Sequence, residues 1–351
     1  MKSRRHIMQQ LMAALATVLL SGCSMIDDDL SDCDTDYTLD YELRLVTNMT
    51  LELQSTLTLQ TDVNVATVLQ SYLSNIFTDY AYDVDLSFYD TQGDSVRLYH
   101  DEHIMDANQH SYTLYIPRQK YMHLAVANIV DNAMVDMVGD GNCHTAELTT
   151  PGIRDDGADT ISSHTTGLFT ARYPMDIQEG IDQRFNVNLY MANCSAALVI
   201  DPQGHHTDDV KVYCTGFATS FNIADSTYRF SDRPPVVRAT PIETGNQQLC
   251  FCSVNFPSPE VPATRSRIET EEPFIAKPGE QALWQLRVYV TQADGAVTES
   301  ILGIREPLRP GQLKVVRCRL DDNGAVTTDD HTVAVSVTLN WNEGGQYHPE
   351  L

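Results

Sequence analysis

The chain has 351 residues with 48 acidic and 23 basic side chains, a formal charge of -25. That length holds two domains of ordinary size, and so acidic a composition argues against a phosphate backbone, so no nucleic acid is expected as a partner. The excess acid keeps an exposed protein soluble and carries no information on catalysis.

At the N-terminus Lys2, Arg4 and Arg5 precede a mainly apolar run from Leu11 to Leu20, followed by Ser21, Gly22 and Cys23. A positive flank, a short apolar run and small residues form a secretory signal, and the run is too short to span a bilayer. The ending Leu20-Ser21-Gly22-Cys23 resembles a lipobox, with cleavage between Gly22 and Cys23 and a diacylglyceryl group on the Cys23 thiol. Two or three acyl chains, at about 0.8 kcal/mol per buried methylene, hold a protein stably on a membrane. Residues 1–22 therefore read as a lipoprotein signal peptide and 23–36 as an acidic, lipid-anchored tether. Taking the three positive charges of the signal from -25 leaves -28 on the mature chain. Asp27, Asp28 and Asp29 either resemble the surface-export signal of Bacteroidales-type lipoproteins or serve simply as a solvated tether.

Of eight cysteines, Cys23 is taken by lipid, and the seven that remain are an odd number, so at least one is unpaired if the others pair within the chain. An oxidising compartment favours some disulfides, and Cys33 with Cys143 is the one pairing available before residue 190. Cys250-Phe251-Cys252 lacks the two-residue spacing of a redox or zinc motif; on a strand it places both sulfurs on one side.

Beyond the tether, Leu39, Tyr41, Leu43 and Leu45 alternate with Asp40, Glu42 and Arg44, the pattern of a half-buried strand. Val65, Val68, Leu69, Tyr72, Leu73, Ile76 and Phe77 recur at helical spacing and predict a short amphipathic helix. Strands are then expected over 83–89, 97–100, 111–116 and 121–129, the first two joined at Gly93. Residues 139–180 have weak periodicity and read as loops with short strands. A domain boundary is placed at 182, dividing a first domain at 37–181 from a second at 182–351. The strand pattern resumes over 185–191, 196–200, 210–214, 235–239, 248–254, 283–291, 297–302, 312–320 and 332–341, with a hairpin turn at Ala293-Asp294-Gly295. Many short strands and one helix make the fold class mainly β, two tandem β-sandwich domains with the short helix in the first.

The stretch from Cys23 to Cys33, a lipid-site cysteine followed closely by acid, Leu30 and a second cysteine, resembles the start of FimB-type fimbrial anchor subunits, lipoproteins of Bacteroidales-type bacteria. Val84 to Asp90 before a glycine turn is similar to that family's early hairpin, and Tyr121 to Asn128 looks like its central first-domain strand. Leu283 to Leu302 around Asp294-Gly295 and the closing stretch Val333 to Trp341 extend the resemblance over nearly the whole chain. It implies transthyretin-like sandwiches and a place at the base of a type V pilus, anchored to the outer membrane by lipid on Cys23 and able to limit fibre length. The implied partner is a fimbrial stalk subunit, bound by strand exchange. Val333 to Leu339 and Leu39 to Val46 are the candidate edge or donor strands, ordinary intramolecular pairing being the alternative.

No nucleophile elbow, phosphate-cradling glycine loop or paired-histidine zinc motif occurs, so neither an enzyme nor a cofactor is expected. His205 and His206 with Asp208 and Asp209 read as a polar turn rather than a metal site, and Asp155, Asp156 and Asp159 as a solvated loop. Ser95, Thr160 and Ser226, each after an aspartate, resemble acceptors of O-glycosylation triplets, and Arg265-Ser266-Arg267 lies in an exposed loop. The competing functions are a surface glycan-binding lipoprotein, which would display an aromatic platform that Trp284 and Trp341 on core strands do not supply, and a secreted hydrolase.

Overall fold

The structure is a computed structural model and describes residues 37–46, 63–78, 81–104, 111–150, 160–178, 183–231, 234–260 and 282–340. The first half carries β1 (Tyr37–Val46), α1 (Val63–Ile76), β2 (Asp83–Asp90), β3 (Arg97–Ile104), β4 (Ser111–Ile116), β5 (Lys120–Ala127), β6 (Asp136–Val138), β7 (Glu147–Thr149), β8 (Thr160–Ser162), β9 (Phe169–Asp176) and β10 (Gln183–Met191). The second carries β11 (Cys194–Asp201), β12 (Thr207–Thr215), β13 (Ser220–Asn222), β14 (Thr227–Arg229), β15 (Val236–Arg238), β16 (Thr240–Ile242) and β17 (Leu249–Asn255). It ends with β18 (Trp284–Gln292), β19 (Val297–Ile304), β20 (Leu313–Leu320), β21 (Val326–Thr327) and β22 (Val333–Asn340). The fold is mainly β with one α-helix among the described residues, as the sequence pattern predicts.

Four sheets result. A seven-stranded sheet runs β3-β2-β5-β9-β10-β1-β4, and a five-stranded sheet runs β16-β17-β11-β20-β21. A six-stranded sheet runs β22-β19-β18-β12-β15-β8, and a small four-stranded sheet runs β14-β13-β7-β6. Each of the two larger units pairs its opening strand in parallel with a late one, β1 with β10 and β11 with β20. Parallel partners need a long crossover, and the intervening strands of each half supply it.

The five-stranded sheet is the shared layer. Its residues alternate between two cores: Ala197, Val199, Cys250, Cys252, Leu313 and Val315 pack with α1 and the seven-stranded sheet, whereas Leu198, Ile200, Phe251, Val316 and Cys318 pack with the six-stranded sheet. Period-two geometry therefore puts both sulfurs of Cys250 and Cys252 on one face and Phe251 on the other. With both faces buried, β11 and β17 read as continuous apolar runs rather than as alternating ones.

The helix buries Val65, Leu69, Leu73 and Ile76, one stripe at three- and four-residue steps. Its C-terminal carbonyl at Ile76 accepts from Gly167 N at 2.9 Å. That contact needs glycine, because a Cβ at residue 167 would stand 2.5 Å from the Phe77 ring.

The two halves are laced together. β8 of the first half pairs in parallel with β15 of the second, and β7 pairs with β13. The expected division at 182 falls just before β10, which lies in the seven-stranded sheet between β9 and β1. β9, read from sequence as part of a loop region, is a central strand. Beyond Thr170 it pairs with β5 alone, so Pro174 sits on a stretch where its missing N–H breaks no ladder.

At the two-residue step between halves, Asn193 donates to His164 Nδ1 at 2.8 Å, its Oδ1 accepts from Leu168 N, and its carbonyl accepts from Gly311 N. His164 is buried there beside Phe256, and His123 is buried in β5, stacked on Phe88. Burial lowers both imidazoles from 6.5 to about 4, so both are neutral in the folded protein. An unfolded chain takes up a proton at each below about pH 6.5, so their contribution is fully present above that pH and is lost as pH falls towards 4. Chemical denaturation should show stability falling between pH 6.5 and 5, and His164→Gln should flatten that slope; an unchanged slope would contradict the assignment.

Candidate assembly interface

A sheet edge is where a fibre-forming protein can add a strand, because its outer N–H and C=O groups are unpaired within the chain. Three of the edges are long: β3, β4 and β22. β3 carries Arg97, His100, Asp101, Glu102 and His103, the charged composition that blunts an edge. β4 is uncharged and exposes Tyr115. β22 is eight residues of Val, Ala, Ser, Thr, Leu and Asn with neither charge nor proline, and among the described strands β19 is its one sheet neighbour. It pairs with β19 in antiparallel register from Ile304↔Val333 to Val297↔Asn340. Val333 is buried and Val335 packs against the second core.

The entry to β22 is fixed by a polar clamp. Asp330 accepts from Thr332 N at 2.9 Å and from the Thr332 hydroxyl at 2.7 Å, and Lys314 Nζ lies 3.3 Å from its carboxylate. Lys314 also holds Glu306 at 2.8 Å. Burial by itself raises the Asp330 carboxyl, but the Thr332 hydrogen bonds and the Lys314 ammonium outweigh it, and its pKa lies below the ordinary value. The other expected edge, Leu39 to Val46, is not one: β1 is hydrogen-bonded to β10 on one side and β4 on the other.

The sequence profile of the fimbrillin-A associated anchor proteins Mfa1 and Mfa2 matches residues 31–249. The chain belongs to this family. A fimbria-associated, surface-associated role follows, and the family is one of structural proteins rather than enzymes. No curated protein sequence matches this anchor-family chain. Among solved structures, a candidate adhesin from Bacteroides ovatus aligns over 86% of this chain and 96% of its own at TM-score 0.50 and 14% identity, a likeness of fold. A candidate polysaccharide-binding protein from Bacteroides thetaiotaomicron covers 84% of this chain and 98% of its own at TM-score 0.49 and 11% identity. A fimbrial assembly protein from Parabacteroides distasonis covers 87% of this chain and 100% of its own at TM-score 0.41 and 10% identity.

Of the residues singled out in this anchor-family chain, Gly22, Cys23, Asp27, Asp28, Asp29 and Cys33 lie outside the described residues, as do Asp155, Asp156, Asp159, Arg265, Ser266, Arg267 and Trp341. Cys143 is buried in a short 3-10 turn and pairs with no cysteine among the described residues, burial raising the pKa of its thiol. Cys194, Cys214, Cys250, Cys252 and Cys318 are also buried and pair with no described cysteine. Burial pushes Cys214, Cys250 and Cys318 up to about 12, which keeps them as unreactive thiols at neutral pH. His205 faces Asp322 at 3.5 Å and Asp209 faces Lys211 at 3.5 Å, so that turn does not converge on a metal. Trp284 is fully buried with its indole N–H on the Glu306 carbonyl, a core residue rather than a binding platform. Ser95 and Ser226 sit in turns at φ 53, and Ser226 is exposed.

No helix among the described residues is long and apolar enough to cross a membrane. Substituting Asp330→Ala removes both Thr332 bonds and a partner of Lys314, and should cost about 1–2 kcal/mol. Hydrogen exchange should then quicken in β22 before it does in β11; uniform exchange would show that the clamp is irrelevant.

Proposed function

We propose that this protein is an outer-membrane lipoprotein held by acyl chains on Cys23, and that it forms the base of a surface fimbria by accepting a strand of a stalk subunit along β22. The observation that carries the reading is the eight-residue, uncharged, proline-free edge of β22 in a member of a fimbrial anchor family. Most natural edges are shortened or charged, and those of this protein that are long and carry charge, such as β3, follow that rule. An added strand would gain main-chain hydrogen bonds along β22, with alternating side chains giving selectivity. Asp27, Asp28 and Asp29 would direct the lipoprotein to the outer face and keep the tether solvated. Cys33, which lies in that tether, is the proposed disulfide partner of Cys143 in the oxidising compartment. Limitation of fibre length would follow from occupation of the base position by a subunit that the membrane holds.

Two substitutions separate anchoring from assembly. Cys23→Ala should shift the protein from the membrane to the soluble fraction, and retained membrane association would overturn the lipid assignment. The pair Ser336→Lys and Thr338→Lys leaves the apolar alternation Val333, Val335, Val337 and Leu339 intact and charges the edge strand. It should leave the protein membrane-bound and folded while fimbriae are shed into the medium. Normal cell-bound fimbriae in that variant would exclude β22 as the docking edge.

A further inference from the structure

We propose that Asp85, His100 and Glu102 form a site for one divalent transition ion of the Zn2+ type, clipping edge strand β3 onto β2. The β2–β3 register sets Asp85 opposite Glu102 and Ser87 opposite His100, so these side chains share one face of the hairpin. Their ligand atoms all lie within 4.8 Å of one another, the one such three-residue group among the described residues. His100 Nε2 is 2.5 Å from Asp85 Oδ2 and 3.6 Å from Glu102 Oε1.

A tetrahedral ion with bonds of about 2.0–2.2 Å needs donors about 3.3–3.5 Å apart. The His100–Glu102 separation is already near that value, and the Asp85–His100 contact has to open by about 1 Å. The groups that must move are the ones that can: the Glu102 side chain is 55% exposed and that of His100 29%, against 7% for Asp85. Asp85 is held by the buried Ser87 hydroxyl, which donates to Oδ1 at 2.9 Å and leaves Oδ2 to face the imidazole. An outer hydroxyl that orients a ligating carboxylate is the usual second layer of a metal centre.

Charge points the same way. Among the described ion pairs, Asp85 meets no lysine or arginine; its one counter-group is His100, which neutralises it only when protonated. A buried carboxylate without a permanent cation is costly, and a dication would compensate Asp85 and Glu102 together. One imidazole with two carboxylates suits Zn2+, Mn2+ or Fe2+ and is a poor match for Ca2+ or Mg2+, which favour all-oxygen shells. Water would fill the remaining positions on the side of the exposed Glu102. Asp101 and His103, 2.9 Å apart, lie on the opposite parity of β3 and take no part.

The test is calorimetric titration of the full-length chain, in detergent and without a histidine tag, with Zn2+, paralleled by visible absorption with Co2+. One ion per chain at micromolar strength or tighter is expected, with a Co2+ ligand-field band. Glu102→Gln, at an exposed position, and His100→Gln should each weaken binding about tenfold or more, while Asp101→Asn leaves it unchanged. Thermal denaturation of the metal-free variants checks that they fold. Absence of saturable binding, equal affinity in folded Glu102→Gln and His100→Gln, or displacement of Zn2+ by millimolar Ca2+ would each overturn the site.

Discussion

The architecture depends on a single sheet that buries both of its faces. In the β16-β17-β11-β20-β21 layer, each residue that leaves one core enters the other, so Cys252 and Phe251, neighbours in the chain, serve different halves of the molecule. Neither the helix with its seven-stranded sheet nor the six-stranded sheet has a complete apolar partner without this layer. Fully burying a large apolar side chain contributes roughly 1.5–3 kcal/mol, and the layer presents such side chains in both directions. The thiols Cys250, Cys252 and Cys318, which pair with no described cysteine, belong here as packing atoms: small, apolar and protonated, they fill the buried layer as compact hydrophobes.

Much of this was legible in the sequence. The periodicity of Val65, Leu69, Leu73 and Ile76 located the helix, and the Asp294-Gly295 turn fixed the β18–β19 hairpin with its register. Alternation at Val333 and Val335 placed β22. What periodicity cannot give is which strand lies next to which. Leu39 to Val46 and Val333 to Leu339 look alike as patterns, yet one is enclosed by β10 and β4 and the other has one sheet neighbour among the described strands. β9 escaped notice because Pro174 and Arg172 interrupt its pattern, and only its partial pairing makes that proline tolerable. The Asp85–His100–Glu102 group was hidden for a similar reason: His100 and Glu102 show the two-residue spacing of one strand face, but Asp85 joins them only once the hairpin register is known.

Family membership makes the protein fimbria-associated, and its long edges differ in composition, β3 being charged and β4 and β22 uncharged. β3 bears His100 and Glu102 of the proposed metal site, which would tie that edge to Asp85 on β2. β22 is uncharged and clamped only at its entry by Asp330 and Lys314. On the proposed reading, one edge closed chemically and another left open would let the protein take a partner strand without aggregating.

The position of β1 has a mechanical consequence. It is the first described strand of the chain, and eight of its residues pair in parallel with β10 while six pair antiparallel with β4. A load entering at Tyr37 and directed along the strand runs perpendicular to those hydrogen bonds, so they are strained together in shear rather than opened one after another from an end. The five-stranded layer then spreads the force into the second half through two hydrophobic cores. A chain pulled from that end would resist unravelling by its geometry, whatever the strength of any one bond.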